Sequence, residues 1–281
     1  MPGRSLAARI LTYVVLSLGV LVVAFPVWVT FVASTQTLDQ VQSVPLSLVP
    51  GTQLLQNYRE VLVAGAGNTT APVARMMRIS LIMALTIAIG KIAISLLSAF
   101  ALIYFRFPFR RTAFWLIFVT LMLPVEVRIV PTYQVMADLR LIDTYAGLTL
   151  PLIASATATF LFRQFFMTVP DELAEAAKID GAGPMRFFWH VLLPLSRTSV
   201  AALFVIQFVY GWNQYLWPLL VTTQESMYPV VIGIKRMIAG GDAATEWHLV
   251  MATAMLAMLP PVAVVVLMQR WFVKGLVESD K

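Results

Sequence analysis

The stretch ISLIMALTIAIGKIAISLLSAFALIYF, residues 79–105, decides the class of fold to which this chain belongs. It contains one charged residue, Lys91, and it exceeds the roughly 20 apolar residues that a helix needs to cross a bilayer. The rest of the chain agrees, since 59% of the 281 residues are hydrophobic and 12% are charged, against about 25% charged in soluble domains. The sequence therefore predicts an all-α, polytopic membrane protein.

Six apolar stretches meet the length criterion for a membrane-spanning helix. They are residues 10–33, 79–105, 113–136, 147–168, 199–222 and 249–273. The first stretch is longer than the roughly 7–15 apolar residues of a cleaved signal peptide, so we expect residues 1–34 to be a retained anchor. We then expect a loop over 35–78, a core of five spans over 79–273 and a tail over 274–281.

The positions of lysine and arginine indicate how the chain crosses the membrane. With the N-terminus inside, the inner loops contain more basic residues than the outer loops, whose basic residues are Arg59, Arg75, Arg78, Arg140, Lys235 and Arg236. Because short cytoplasmic loops are enriched in basic residues, we expect both termini in the cytoplasm and residues 35–78 outside it. The net charge of +6 is explained in the same way and does not require a nucleic-acid partner.

Several kinds of catalytic chemistry have no support in the sequence. The chain has no cysteine, which excludes disulfides, thiolate nucleophiles and cysteine metal sites. It has no phosphate-binding loop of the G-x-x-x-x-G-K-[ST] type, and neither His190 nor His248 lies in a metal-binding spacing. We therefore expect a protein that is not an enzyme, with no metal and no cofactor of its own.

The inner segment, residues 169–197, has the pattern of a helix, a turn and a second helix. Asp171 is placed to cap the first helix, and Gly181 is placed to end it because glycine readily adopts a left-handed backbone. A second helix is expected to begin at Pro184, with a bend at Pro194. The spacing of Met185, Phe188, Val191, Leu192 and Leu195 predicts its apolar face.

The first of these two helices has the features of a docking surface. Ala176 and Ala177 are small enough to let another surface approach the backbone closely, and Glu175 and Asp180 offer charges for pairing. The alternative is an ordinary amphipathic helix that rests on its own bundle. The spacing alone leaves both interpretations open.

This segment resembles the EAA signature of ABC-importer permeases. The signature residues are Glu175-Ala176-Ala177, then Gly181, then Val191-Leu192-Leu193-Pro194, with Val191 where isoleucine is usual. The resemblance implies a type I ABC importer permease fold, in which this segment couples to a cytoplasmic ATPase. It implies contact with the ATPase by Glu175, Ala176, Ala177, Asp180 and Gly181, and a return into the membrane set by Leu193 and Pro194.

Longer runs narrow the resemblance to the second, MalG-like permeases of carbohydrate importers, and within them to those that carry sn-glycerol-3-phosphate. These runs are residues 105–108, 121–129, 145–167 and 210–218. The resemblance implies a bacterial inner-membrane subunit whose partners are a homologous permease, an ATPase dimer that binds the ATP, an extracytoplasmic solute-binding protein and membrane lipid. Alternatives are a neutral disaccharide as substrate, an ion-coupled secondary transporter, and a membrane scaffold that transports nothing.

Three charged residues lie in the interior of predicted spans, whereas Arg163 and Arg270 lie near inner helix ends. A charge in the interior of a span costs roughly 2.5–3.5 kcal/mol without a partner. Lys91 is too far from either end of its helix to reach water, so it binds an anionic substrate, pairs with a partner subunit or pairs with Glu126. Glu126 and Arg128 lie between Pro124 and Pro131, which should distort the third span. They are candidates for the translocation pathway or for an ion pair between helices or subunits.

The fifth span ends in a cluster of polar and aromatic residues, Tyr210, Trp212, Asn213, Gln214 and Trp217. Aromatic residues near a membrane boundary commonly anchor a helix at the interface, and we expect that role for the aromatic members of this cluster. Asn213 and Gln214 are further candidates for the translocation pathway.

Overall fold

A computed structural model describes residues 6–65, 69–120, 125–238 and 245–277 of the chain, and within these residues the fold is built of helices. The α-helices are Leu6–Ser34, Leu38–Gln42, Leu54–Val63, Val73–Tyr104, Arg110–Val119, Val125–Asp138, Tyr145–Thr149, Ala156–Phe166, Asp171–Ile179, Pro184–Phe187, Leu193–Leu195, Arg197–Trp212, Leu216–Val221, Val230–Met237 and Trp247–Val277. Leu150–Leu152 and Glu225–Met227 form 3-10 turns, and Phe188–Leu192 forms a π-helical turn.

Three helices are individually long and apolar enough to cross a membrane, namely Ala8–Ser34, Val73–Tyr104 and Trp247–Trp271. They match the first, second and sixth predicted spans, although the second helix begins at Val73 and not at Ile79. Two bent helix pairs raise the number to five if each pair is one span. The third predicted span is divided between Arg110–Val119 and Val125–Asp138, and residues 121–124 lie outside the described part.

The fourth and fifth predicted spans are not the continuous helices that the sequence pattern predicts. Tyr145–Leu152 and Ala156–Phe166 meet at 48°, where Ser155 begins the second helix by accepting a hydrogen bond from the Ala158 amide. The helix Arg197–Trp212 ends at Asn213, before Leu216–Val221 begins. The spans are predicted from the length and apolarity of each segment, and neither property reveals a break in the helical backbone.

The chain forms two compact units. The first unit contains Met1–Arg75 and Gly233–Leu259, and the second contains Met76–Ile232 and Pro260–Lys281.

In the first unit, hydrogen bonds tie residues 34–63 together where the sequence predicts a loop. The buried side chain of Asn57 donates to the carbonyls of Ser34 and Gln36, both at 2.9 Å. The Gly51 amide donates to Thr35 Oγ1 at 2.7 Å, and a Cβ on Gly51 would clash with the Thr35 carbonyl. The predicted loop between the first two spans therefore contains two helices, Leu38–Gln42 and Leu54–Val63.

The second unit contains two clusters of buried apolar side chains. One cluster, which we call the Phe100 cluster, comprises Ile92, Leu96, Ala99, Phe100, Ala158, Phe162, Phe166, Phe187, Phe188, Leu192 and Leu203. The other comprises Ile79, Met83, Ile87, Ile129, Met136, Leu148, Leu152, Trp217 and Val221. The helix Val73–Tyr104 contributes to both clusters, so its buried face organises the packing of the unit.

Candidate coupling segment and intramembrane polar residues

The first helix of the 169–197 segment ends in a Schellman motif. The Gly181 amide donates to the Lys178 carbonyl at 3.0 Å, and the Ala182 amide donates to the Ala177 carbonyl at 2.8 Å. Gly181 has a φ of 72°, the left-handed conformation that this motif requires. The prediction that the helix ends at Gly181 is confirmed. The helix begins differently, since Pro170 is the N-cap and Asp171 is the first helical residue.

The predicted ATPase contacts divide between two faces of this segment. Glu175, Ala176, Asp180 and Gly181 are exposed, whereas Ala177 is half-buried and packs with Ala174 against the Phe100 cluster. The most exposed apolar side chain of the helix is Ile179, 86% exposed next to the Schellman turn. The helix therefore rests on its own bundle through one face and exposes the other face to solvent, where contact with an ATPase stays a prediction.

The second helix of the segment packs through residues that the sequence pattern only partly predicts. Phe187, Phe188 and Leu192 are buried, whereas Met185 and Leu195 are exposed despite their place on the predicted apolar face. The π-helical turn Phe188–Leu192 shifts the register of side chains, which the ideal spacing of 3.6 residues does not anticipate. Tyr104 and Phe187 pack with ring centroids 5.3 Å apart, which holds this helix on the end of Val73–Tyr104.

The chain turns sharply after the second helix. Pro184–Leu195 and Arg197–Trp212 meet at 73°, with Ser196 between them. Ser196 is buried, and its hydroxyl donates to the Leu192 carbonyl at 2.6 Å. Leu193 and Pro194 are half-buried immediately before this turn, and Leu193 packs against the Phe100 cluster. The bend lies within two residues of Pro194, where the sequence predicts it.

Lys91 is buried inside its helix bundle, with 6% of its surface exposed. Its ammonium lies 3.7 Å from the centroid of the Tyr210 ring, a cation–π contact. Among the described side chains no carboxylate lies within ion-pair distance of Lys91, and the side chain of Glu126 lies outside the described residues. The described partner of this ammonium is thus an aromatic face.

The other pathway candidates lie at the surface or close to it. Arg128 is exposed, and the next residue, Ile129, is buried in the core. Asn213 is exposed at the C-terminal end of Arg197–Trp212, and Gln214 is half-buried and donates to the Tyr210 carbonyl at 3.2 Å. Tyr210 therefore contacts Lys91 through its ring and Gln214 through its backbone carbonyl.

The prediction of an aromatic interfacial belt in the fifth span is wrong for two tryptophans. Trp212 is 2% exposed and stacks on Phe208 at 6.0 Å between ring centroids. Trp217 is 3% exposed, and its indole N–H donates to the Gly147 carbonyl at 3.0 Å. Both side chains are fully packed within protein, where a buried indole N–H needs a hydrogen-bond partner, so they fix helices to one another.

A carboxylate outside the predicted spans joins two loops of the second unit. Asp143 accepts hydrogen bonds from the amides of Thr223 and Gln224, at 2.7 and 3.0 Å, and from the Thr223 hydroxyl. Burial raises the pKa of the Asp143 carboxyl, but these hydrogen bonds outweigh burial and hold its pKa below the usual value. We call residues 143, 223 and 224 the Asp143 clip.

Sequence reasoning missed Tyr210 as the partner of Lys91, Ile179 as the exposed apolar tip, and Asp143 as a clip. An isolated aspartate in a loop and an isoleucine at the end of a helix have no local signal, and Lys91 and Tyr210 lie on different helices. Within the described residues no group of three or more histidine, aspartate or glutamate side chains could hold a metal ion.

Comparisons with known proteins agree with this architecture. The sequence profile of the family described as "Binding-protein-dependent transport system inner membrane component" matches residues 91–278. The "sn-glycerol-3-phosphate transport system permease protein UgpE" of Agrobacterium fabrum is 61% identical over 275 residues, 98% of each chain. The protein of the same name from Yersinia enterocolitica is 60% identical over 272 residues, 97% of each chain.

A solved structure shares the fold. It is a chain from the crystal structure of a bacterial ABC transporter involved in the import of the acidic polysaccharide alginate, with a TM-score of 0.82 and 21% sequence identity. The match covers 97% of this chain and 100% of that chain. With the family profile and the full-length relatives, it confirms the expected permease fold. The chain therefore belongs to the family of binding-protein-dependent transport system inner membrane components, and it is a membrane permease subunit and not an enzyme.

Proposed function

We propose that this chain is the permease subunit of an ATP-driven importer of sn-glycerol-3-phosphate. The names of relatives that match nearly the whole chain at about 60% identity support this substrate. Membership of a binding-protein-dependent family leaves no role for the alternatives of an ion-coupled secondary transporter or a scaffold that transports nothing.

The buried ammonium of Lys91 is the observation that carries the substrate proposal. A phosphate monoester carries a charge of about −1.5 to −2 at pH 7, so its path through a bilayer needs groups that replace its lost hydration. The ammonium of Lys91 would attract such an anion and hydrogen-bond to its phosphate oxygens, and the exposed Arg128 is a second candidate for this role. Tyr210, whose ring contacts Lys91, would supply a hydroxyl group, and Asn213 and Gln214, which follow it in the chain, would supply amide groups.

A neutral disaccharide is the second candidate substrate. Tyr210 and Tyr215 are both partly exposed, and exposed aromatic rings suit the apolar faces of sugars. The burial of Lys91 favours the anionic substrate over the neutral one. A charge inside the membrane costs free energy, and a neutral sugar could not offset that cost by attracting the charge.

The 169–197 segment is the proposed contact with the ATPase. Glu175, Ala176, Asp180 and Gly181 are exposed and would contact the ATPase, together with Ile179. Ala177, Leu193 and Pro194 are half-buried and would transmit its movement to the bundle. ATP is then bound by the ATPase subunit, and this chain needs no cofactor of its own.

The assembly and topology follow from the same reasoning. The partners are a homologous permease, an ATPase dimer, an extracytoplasmic solute-binding protein and membrane lipid, in the bacterial inner membrane with both termini in the cytoplasm. The packing of Tyr104 on Phe187 supports this topology, because it brings the arginine-rich loop after Tyr104 and the 169–197 segment to the same end of the second unit. We retain the predicted divisions at residues 34, 78 and 273 as a proposal.

ATP hydrolysis by the complex tests the proposal. The complex is purified through a tag on this chain, reconstituted with its binding protein and supplied with sn-glycerol-3-phosphate, maltose or trehalose. Stimulation by sn-glycerol-3-phosphate alone is the expected result. Stimulation by a disaccharide alone would reject the substrate but keep the ATP-driven mechanism. A preparation without any ATPase would contradict the proposed role of the 169–197 segment.

A further inference from the structure

Residues 105–111, FRFPFRR, which we call the basic aromatic loop, run from the end of the helix Val73–Tyr104 into the first turn of the helix Arg110–Val119. All seven residues are exposed. Phe109 is 81% exposed and has a φ of 62°, a backbone conformation that residues other than glycine rarely adopt. The Arg110 guanidinium donates to the Phe105 carbonyl at 3.4 Å, and Phe105 packs back on Phe100. Phe107 and Phe109 are left facing outward.

The arginines of this loop have no acidic partner among the described residues. Arg106, Arg110 and Arg111 lie within six positions of one another, and none forms an ion pair in the part of the chain that the structure describes. Arg106 and Arg110, with Phe107 and Pro108, line an open concavity of about 480 Å³. A concavity with two guanidinium groups and little competing negative charge suits a phosphate group, which arginine can bind through paired hydrogen bonds.

The surface next to the loop is apolar. Trp115 and Leu116 are exposed on the helix that follows, and Leu97 is exposed on the helix that precedes. Because both helices belong to predicted membrane spans, the loop lies where apolar protein surface gives way to a charged one. Exposed aromatic rings with basic residues at such a boundary are typical of segments that bind anionic membrane surfaces.

We propose that the basic aromatic loop binds the phosphate headgroup of an anionic phospholipid. Arg106 and Arg110 hold the phosphate, and Phe107 and Phe109 insert beside the acyl chains at the membrane boundary. An acidic protein surface would also attract the arginines. The lipid fits better because the apolar surface of Trp115 and Leu116 continues directly from the loop. The residues of this site are not among those proposed for the substrate pathway or for the ATPase contact.

Native mass spectrometry of the complete complex tests this proposal. The complex is titrated with phosphatidylglycerol and with phosphatidylcholine of the same chain length. The test variant carries Arg106→Gln and Arg110→Gln, and the matched control carries Arg59→Gln and Arg140→Gln, two exposed arginines elsewhere on the chain. Each arginine near an anionic surface contributes roughly a factor of five in affinity. We therefore expect phosphatidylglycerol to bind about 25-fold more weakly to the test variant and within about twofold of normal to the control.

Two further measurements identify the ligand. Inorganic phosphate at millimolar concentration should not displace the lipid, whereas displacement would indicate a site for a soluble anion and overturn the proposal. Phe109→Ala, which leaves both arginines in place, should weaken phosphatidylglycerol binding at least fivefold because an inserted aromatic ring is lost.

The remaining outcomes also decide the question. Equal phosphatidylglycerol binding by the test and control variants overturns the proposal. Loss of the ATPase subunit from the test variant with normal lipid binding also overturns it, because the loop would then be a protein interface. A thermal unfolding midpoint equal to that of the control confirms that the test variant is folded, so a loss of lipid binding supports the proposal.

Discussion

Replacement of Gly181 tests whether the Schellman motif of the 169–197 segment serves the contact with the ATPase. Gly181 has a φ of 72°, and a Cβ at this position would meet no atom within 4 Å. The change Gly181→Ala therefore introduces no clash, and its whole cost comes from the left-handed backbone. That cost is about 1–2 kcal/mol for a residue with a Cβ.

The expected effect on binding follows from this cost. If the alanine variant leaves the left-handed conformation, it loses the hydrogen bonds from the Gly181 and Ala182 amides, at 3.0 and 2.8 Å, and the end of the helix moves. The ATPase then binds only the fraction of molecules that keep the native turn. A cost of 1–2 kcal/mol corresponds to an affinity of the ATPase for the permease that is about 5–30-fold lower.

Gly183 supplies a matched control in the same turn. Its φ is −69°, which alanine adopts without strain, and a Cβ there would also meet nothing within 4 Å. Gly183→Ala should leave the affinity within about twofold of normal. Gly181→Asn should fall between the two alanine variants, because asparagine tolerates the left-handed conformation better than alanine does.

The assay is the rebinding of ATPase subunits to permease pairs held in lipid nanodiscs, with ATP turnover and substrate uptake measured on the same samples. None of the three variants alters the buried clusters, so the thermal unfolding midpoint of the permease should be normal for Gly183→Ala. For Gly181→Ala it should fall by only about 2–4 °C per kcal/mol of backbone strain. Equal affinities for Gly181→Ala and Gly183→Ala would refute the reasoning, and so would a normal affinity for Gly181→Ala.

Three further predictions concern the polar residues and the topology. Lys91→Met should reduce sn-glycerol-3-phosphate uptake in vesicles at least tenfold. Tyr210→Phe keeps an aromatic face under the ammonium and should retain most uptake. Normal uptake by Lys91→Met would show that Lys91 is not part of the pathway. Because the pKa of Asp143 is lower in the folded protein than its usual 3.8, the stability that the Asp143 clip contributes should be present above pH 4 and lost as the pH falls through that lowered pKa. Asp143→Ala should accordingly lower the unfolding midpoint at pH 7 by roughly 2–4 °C per kcal/mol lost, and an unchanged midpoint would contradict the clip. The chain has no cysteine, so a single introduced cysteine can be labelled specifically. The exposed positions Ser43 and Thr112 test the topology: Ser43→Cys should react with an impermeant maleimide in intact cells, and Thr112→Cys should react only after the membrane is opened. The reverse pattern would contradict the proposed topology.

Sequence reasoning succeeded where the determining physics is local. The length and apolarity of residues 79–105 suffice to predict a spanning helix, because a bilayer imposes the same requirement on any chain. The left-handed turn at Gly181 and the helix start at Pro184 depend on the backbone preferences of single residues, and both lie where the sequence predicts them. The EAA signature likewise identified the family, because its residues occupy one short segment.

Only the tertiary structure decided which faces of these elements are buried and which residues meet. Ala177 turns toward the core and Ala176 toward solvent, although the two are adjacent and chemically identical. Trp217 is buried against Gly147 and not at the membrane interface, and Lys91 meets the ring of Tyr210. Each of these outcomes depends on contacts between helices far apart in the chain. Hydropathy and spacing describe one helix at a time, so they determine that the segments are helical and apolar but not how those helices pack against one another.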